Sequence, residues 1–306
     1  MEEERLSFHD PDFSKLVKKA KRTSYIKNIV ISVLVSLLSL TFVYMAGSYI
    51  MQYRLERQSE IDNAWHYVKG ANVEDAGTSY IYSPFGASAV NEQIKNMDGI
   101  LFPWGKRQQS FTIFGSSNST KSLNMFGMGT ITDKRIPLYY QGERVIEFFH
   151  PTINYEYLPD ERNLLFEIDE KKVVEYAFSF DRSYSIKEVE KMFSNHISWF
   201  WVDTYSKEEL NSDDATGFIG FDTFGFSQAS GPMSFVQQLE WLEENGGQYK
   251  KTTKKMINAL KDKGKWEAEN LPIIGVVVTG QPNELKQFLD APYIRTAVLG
   301  VTVDRY

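Results

Sequence analysis

Charged positions are spread unevenly along the chain. From Asn28 to Tyr53 there are 26 consecutive residues without a charge, and the only polar groups from Ile29 to Val43 are hydroxyls. As a helix rising ~1.5 Å per residue this run reaches about 39 Å, more than the ~30 Å hydrocarbon thickness of a bilayer. The serine and threonine hydroxyls can bond back to the helix's own carbonyls, so no polar group is stranded in lipid. The pattern predicts a transmembrane helix over 28–53. Beyond it, Ile61, Trp65 and Val68 recur at helical spacing, so 54–70 reads as a juxtamembrane stalk that continues the span.

Past residue 70 the period changes. In 71–169, short apolar runs such as Ser79–Tyr82, Ser110–Phe114 and Arg144–Phe149 lie between clusters of Gly, Pro, Asn and Ser, which predicts a β-rich lobe with long loops. The segment 170–306 is more regular. Lys172 to Phe180 alternates as a strand, Asp181 to Ser185 turns, Ile186 to Ser194 is helical and Ile197 to Val202 is a second strand. The same grammar returns with a strand at Ile273–Thr279, a helix at Asn283–Leu289 opened by Pro282, and a strand at Ala297–Val303. Helices over Met233–Glu244 and Thr252–Lys263 lie between the two units. The predicted fold class is a membrane-anchored α+β protein: one N-terminal transmembrane helix, a β-rich middle lobe, and a C-terminal lobe whose two strand-helix-strand units suit a ferredoxin-like sandwich. Val189, Met192 and Phe193, like Leu285, Phe288 and Leu289, are expected to cover the sheet. Alternation puts Trp199 and Trp201 on one face and Phe200 on the other, with packing expected on both.

Charge orients this arrangement. Residues 1–27 hold seven basic against five acidic side chains, and none of the acidic ones lies between Phe13 and Lys27. Such a basic flank keeps the amino terminus cytoplasmic and puts the C-terminal lobes outside. Tyr25 and Lys27 suit the inner membrane interface, Tyr53 and Arg54 the outer one. A cleaved leader, for which Ala46, Gly47 and Ser48 would supply small residues, fits less well: the apolar core exceeds the usual ~7–15 residues. The formal charge of −6 divides into +2 for residues 1–27 and −8 beyond them. The outer part is therefore a poor nucleic-acid binder.

The chemistry that would mark an enzyme is thin. With no cysteine in the chain, disulfides, thiol nucleophiles and cysteine-based zinc sites are excluded. His9, His66, His150 and His196 have no metal-ligand spacing. Gly127-Met-Gly129 lacks the third glycine of a dinucleotide fingerprint, because Thr132 stands there. Gly225-Phe-Ser227-Gln-Ala229 approaches a nucleophile elbow, but its last glycine is replaced by alanine and a loop is expected there. Ser24 and Lys27 form the one Ser-x-x-Lys, on the cytoplasmic edge. The reading is a non-enzymatic protein without cofactor or metal.

The cytoplasmic tail is more informative. Asp10-Pro11 is a helix start, and after it Phe13, Leu16, Val17 and Ala20 form one apolar stripe beside Lys15, Lys18, Lys19, Lys21 and Arg22. Such a helix can fix topology, lie on anionic lipid or enter a groove of a soluble partner. The run Phe13–Ser32 resembles the amino-terminal region of the sigma factor regulator family of Gram-positive bacteria. Glu175–Tyr184, the strand holding Trp199-Phe-Trp201, and Gly275–Leu285 resemble that family's outer domain, with a looser match over Pro137–Tyr157. The resemblance implies a single-span anti-sigma factor of an extracytoplasmic-function sigma factor, which is held through the tail while the outer domain responds to the envelope. The stripe residues Phe13, Leu16, Val17 and Ala20, with Lys18 and Lys19, are the expected contact. Only 12 residues precede Phe13, shorter than in the family pattern, which leaves room for a second membrane protein to share the task. The alternative is an envelope-binding receptor or assembly protein in which the tail is only an anchor.

Overall fold

A computed structural model describes residues 11–83, 85–112, 117–120, 125–126, 129–131, 134–210, 218–219 and 222–305. The expected N-cap Asp10, the Gly127-Met128 pair and Thr132 lie outside them.

Tail, span and stalk are one helix, α1 (Pro11–Val68), 58 residues and about 87 Å long. It holds a segment long and apolar enough to cross a membrane. Within it Thr23 and Thr41 donate their hydroxyls to the carbonyls of Lys19 and Leu37, both at 2.9 Å. This is the back-bonding that lets hydroxyls sit in an apolar helix. From residue 51 the helix becomes part of the body: Met51, Leu55, Ile61, Trp65 and Val68 are buried.

Beside α1 runs an antiparallel meander of four strands in sequence order, β1 (Glu74–Ser83), β2 (Gly86–Met97), β3 (Ile100–Thr112) and β4 (Ser117–Thr120). Asp98 and Gly99 close the β2–β3 hairpin, both at positive φ (52° and 85°), the conformation that Asp-Gly turns supply. Of the runs expected as strands, Ser79–Tyr82 lies within β1 and Ser110–Thr112 within β3. Arg144–Phe149 is broken into two-residue pieces, Glu143–Arg144 and Glu147–Phe148. The lobe is more regular than its sequence suggests, because β2 hides its inward row. Ala87, Ala89, Asn91, Lys95 and Met97 all point in, and four of the five are too small or too polar to signal a strand.

The C-terminal domain is a five-stranded antiparallel sheet. Its strands are β5 (Lys172–Tyr184), β6 (Ile197–Val202), β7 (Gly225–Ser227), β8 (Ile273–Gly280) and β9 (Ile294–Asp304), in the order β7-β6-β8-β5-β9. Helices α2 (Ile186–Phe193), α3 (Gly231–Asn245), α4 (Lys250–Asp262) and α5 (Pro282–Leu285) join them. Contrary to expectation, the chain does not leave the sheet at Asp181: β5 runs on to Tyr184, with a register shift between Ser179 and Tyr184. The turn follows at Ser185, which caps α2 in a capping box with Glu188.

Alternation along the strands splits the core. Tyr176, Phe178, Phe180, Phe200 and Val202 face the helices, in one cluster with Val189, Phe193, Leu239, Leu260 and Leu285. Ala177, Trp199, Trp201, Ile274 and Val277 face the other way, under Ile146, Phe148 and Tyr205. Both faces of the Trp199–Trp201 strand are therefore packed, and the sheet has no solvent side, which explains its near-continuous apolar runs.

Candidate functional site

The two ends of α1 differ in surroundings. At the tail, Phe13 is 51% exposed, Leu16 65% and Val17 36%, and Ala20, Lys18 and Lys19 are exposed as well. These residues lie on helix α1. Lys15 pairs locally with Asp12 at 3.3 Å. Tyr25 and Tyr53 are exposed, as are Lys27 and Arg54.

At the other end, α1 is docked along two surfaces. Met51 and Leu55 pack with Ala87, Ala89 and Phe111 of the meander. Trp65 stacks on Tyr249 with centroids 4.3 Å apart and planes within 4°, and Phe224 meets the same indole edge-on. Arg57 donates to Asn245 at 2.9 Å and lies over the Trp241 ring. The C-terminal domain thereby supplies part of what holds α1.

The two lobes are themselves joined by a buried ion pair. Lys95 of β2 meets the Glu175 carboxylate of β5 at 2.7 and 2.8 Å, with both side chains almost wholly buried. Glu175 also accepts from the Asn72 amide at 2.9 Å and the Val301 backbone N–H at 3.2 Å. Burial pushes the Lys95 ammonium down, against the pull of Glu175. The Trp104 ring faces it at 4.1 Å and adds cation–π attraction. Gly300 makes room, since a Cβ there would sit 2.3 Å from the carboxylate. Apolar contacts surround the pair: Met97, Trp104 and Val145 with Val173, Val301 and Val303.

Between α1, the meander and α3 opens a cleft of about 900 Å³, lined among others by Asn63, Asp75, Asn91, Trp199, Gln238 and Trp241. Arg107 ties it together, donating to Asn63 at 2.8 Å and pairing with Asp75 at 3.5 Å. Burial raises the Asp75 pKa despite Arg107. Asn91 gives its amide hydrogens to Thr78 and Asn63, while its carbonyl oxygen has no partner among the described residues.

Sequence reading missed Lys95, Glu175 and the cleft, because their signal is a polar residue at an inward strand position and not a motif. His150, scattered in sequence, does find partners: Nε2 lies 3.2 Å from Asp203, which Lys263 pairs at 2.7 Å, while Nδ1 meets the Thr152 hydroxyl at 2.9 Å. Ser227, expected in a loop, ends strand β7 before α3 begins at Gly231. Its hydroxyl donates to Ser230 at 3.0 Å, which fixes the turn into the helix. Among the described residues no group of three His, Asp or Glu could hold a metal ion.

The class defined by these features is an α+β domain mounted on a helix long and apolar enough to cross a membrane. Residues 165–301 match the family model described as sigma factor regulator C-terminal, which supports the sigma factor regulator family. Neither a curated protein nor a solved structure matches the chain.

Proposed function

We propose that the protein is a membrane-bound negative regulator of an extracytoplasmic-function sigma factor. It holds the sigma factor at the stripe of Phe13, Leu16, Val17 and Ala20 with Lys18 and Lys19, and it acts by binding, not catalysis. The N-terminus is cytoplasmic and the C-terminal domain extracytoplasmic, in keeping with the basic flank of α1. We read the β6-β8-β5-β9 order, with β5-α2-β6 and β8-α5-β9 as its units, as ferredoxin-like. One observation carries the proposal: a single unbroken helix joins the exposed basic stripe to residues buried in the family's own domain. A stimulus in the cleft acts on Asn63 and its neighbours, hence on how α1 is seated.

Detergent-solubilised full-length protein is expected to co-purify with one of the cell's sigma factors, and the double substitution Leu16→Asp with Val17→Asp to abolish this. Absence of capture by the intact protein, or capture indifferent to the two aspartates, contradicts the proposal. Deleting residues 1–22 tests the anchor-only alternative, which predicts that the outer function survives when insertion is retained.

A further inference from the structure

The meander lies along α1 with a definite polarity. Asn91 of β2 is near Asn63 of α1, Ala87 packs at the level of Met51 and Leu55, and Phe85 touches Tyr44, with rings edge-on at 6.4 Å. The β1–β2 hairpin thus points down the helix toward its apolar segment. Its tip carries Tyr80 (41% exposed), Ile81 (60%), Tyr82 (51%) and Phe85 (66%). No charged residue occurs from 76 to 91. Four large exposed apolar side chains on one uncharged hairpin are unusual on a water-facing surface.

We propose that this hairpin tip is a second membrane contact, seated in the interfacial zone of the leaflet on the side of the C-terminal domain. Tyrosine and phenylalanine beside a single isoleucine are what that zone accommodates, aromatic rings at headgroup level and an aliphatic group just below. The placement also resets the outer limit of the span. A hairpin edge has unpaired backbone groups and cannot sit in hydrocarbon, so the apolar layer ends near Tyr44, not at Tyr53. From Lys27 to Tyr44 is about 27 Å of helix, close to the ~30 Å a bilayer needs. Ala46, Gly47 and Ser48 are then half-buried above the layer, and Met51 enters the protein body. Contact at both helix and hairpin keeps the outer lobe from swinging freely about α1.

The inference rests on α1 crossing a bilayer, and one experiment separates the two claims. The chain has no cysteine, so single cysteines can be placed at Ser83 (tip), Ser36 (mid-span) and Lys171 (exposed on the C-terminal domain) and spin-labelled in the full-length protein in lipid nanodiscs. Collision with a water-soluble nickel chelate is expected to be severalfold lower at 83 than at 171, with brominated-lipid or oxygen contact intermediate between 36 and 171. Adding Ile81→Ser and Phe85→Ser should return the label at 83 to the value at 171 while leaving the thermal transition in place. A label at 83 as open to nickel as that at 171, with 36 protected, overturns the hairpin contact alone. A label at 36 that is itself open removes the spanning helix and the hairpin contact together.

Discussion

At the scale of single residues, Lys95 and Glu175 set the tightest condition on the fold. A buried ion pair contributes little net stability, but breaking it leaves a charge with no water and no counter-ion. Lys95→Ala is expected to lower unfolding stability by ~3–5 kcal/mol, measured by denaturant titration of the purified protein. Lys95→Met combined with Glu175→Leu should recover much of the loss. Asp203 supplies the pH dependence. Burial alone would raise its pKa, but the hydrogen bond from His150 and the attraction of Lys263 win and hold it below the ordinary value. A carboxylate with a depressed folded pKa contributes stability above its unfolded value near ~3.9, and this is lost as pH falls through the folded value. Asp203→Asn should therefore lower the melting temperature at neutral pH and shrink the difference from the parent as pH drops toward 3. A difference that widens on acidification would contradict this sign. Neither pair was visible in the sequence: Lys95 and Glu175 are 80 positions apart, and nothing local marks them as partners.

Among the elements, legibility followed hydrophobic period. Helix α1 and strands β5, β6, β8 and β9 declare themselves through long apolar or alternating runs, and the family resemblance rests mainly on the first part of α1 and three of those strands. The meander does not, because its inner face is assembled from alanine and asparagine against a helix that supplies Met51 and Leu55, and from a lysine that turns to Glu175 of β5. The cleft was illegible for the same reason, since its polar lining comes from α1, β1, β2, β7 and α3, which only tertiary structure brings together. Docking of α1 can be tested at Trp65, which is 6% exposed and stacked on Tyr249. Trp65→Ala should cost ~3–5 kcal/mol. Because the contact is between α1 and the C-terminal domain, the substitution should also raise hydrogen exchange in 57–68 more than in β5 or β8. Equal protection throughout would mean that the helix is not held by this contact.

For the whole molecule, the proposed function asks how a change at the C-terminal domain would reach a stripe that lies some 60–80 Å away along one helix. Between Lys27 and Val43 every helix residue is exposed, so a relay along this stretch would pass through helix orientation and not through a chain of side chains. A continuous helix transmits rotation and translation, and each added residue turns everything beyond it by ~100°. Inserting alanines between Arg22 and Thr23 therefore changes the facing of Phe13, Leu16 and Val17 relative to the docked face without touching the apolar segment or the C-terminal domain. Two insertions swing the stripe roughly to the opposite side, and four bring it back to within ~40°. If orientation carries the signal, a sigma-dependent reporter should lose its response to envelope stress with two alanines and largely regain it with four, while the amount of sigma factor captured in detergent stays constant. A response that declines steadily with insert length would point to tether length instead. If the response ignores the inserts altogether, the stripe is held by something other than the helix that carries it.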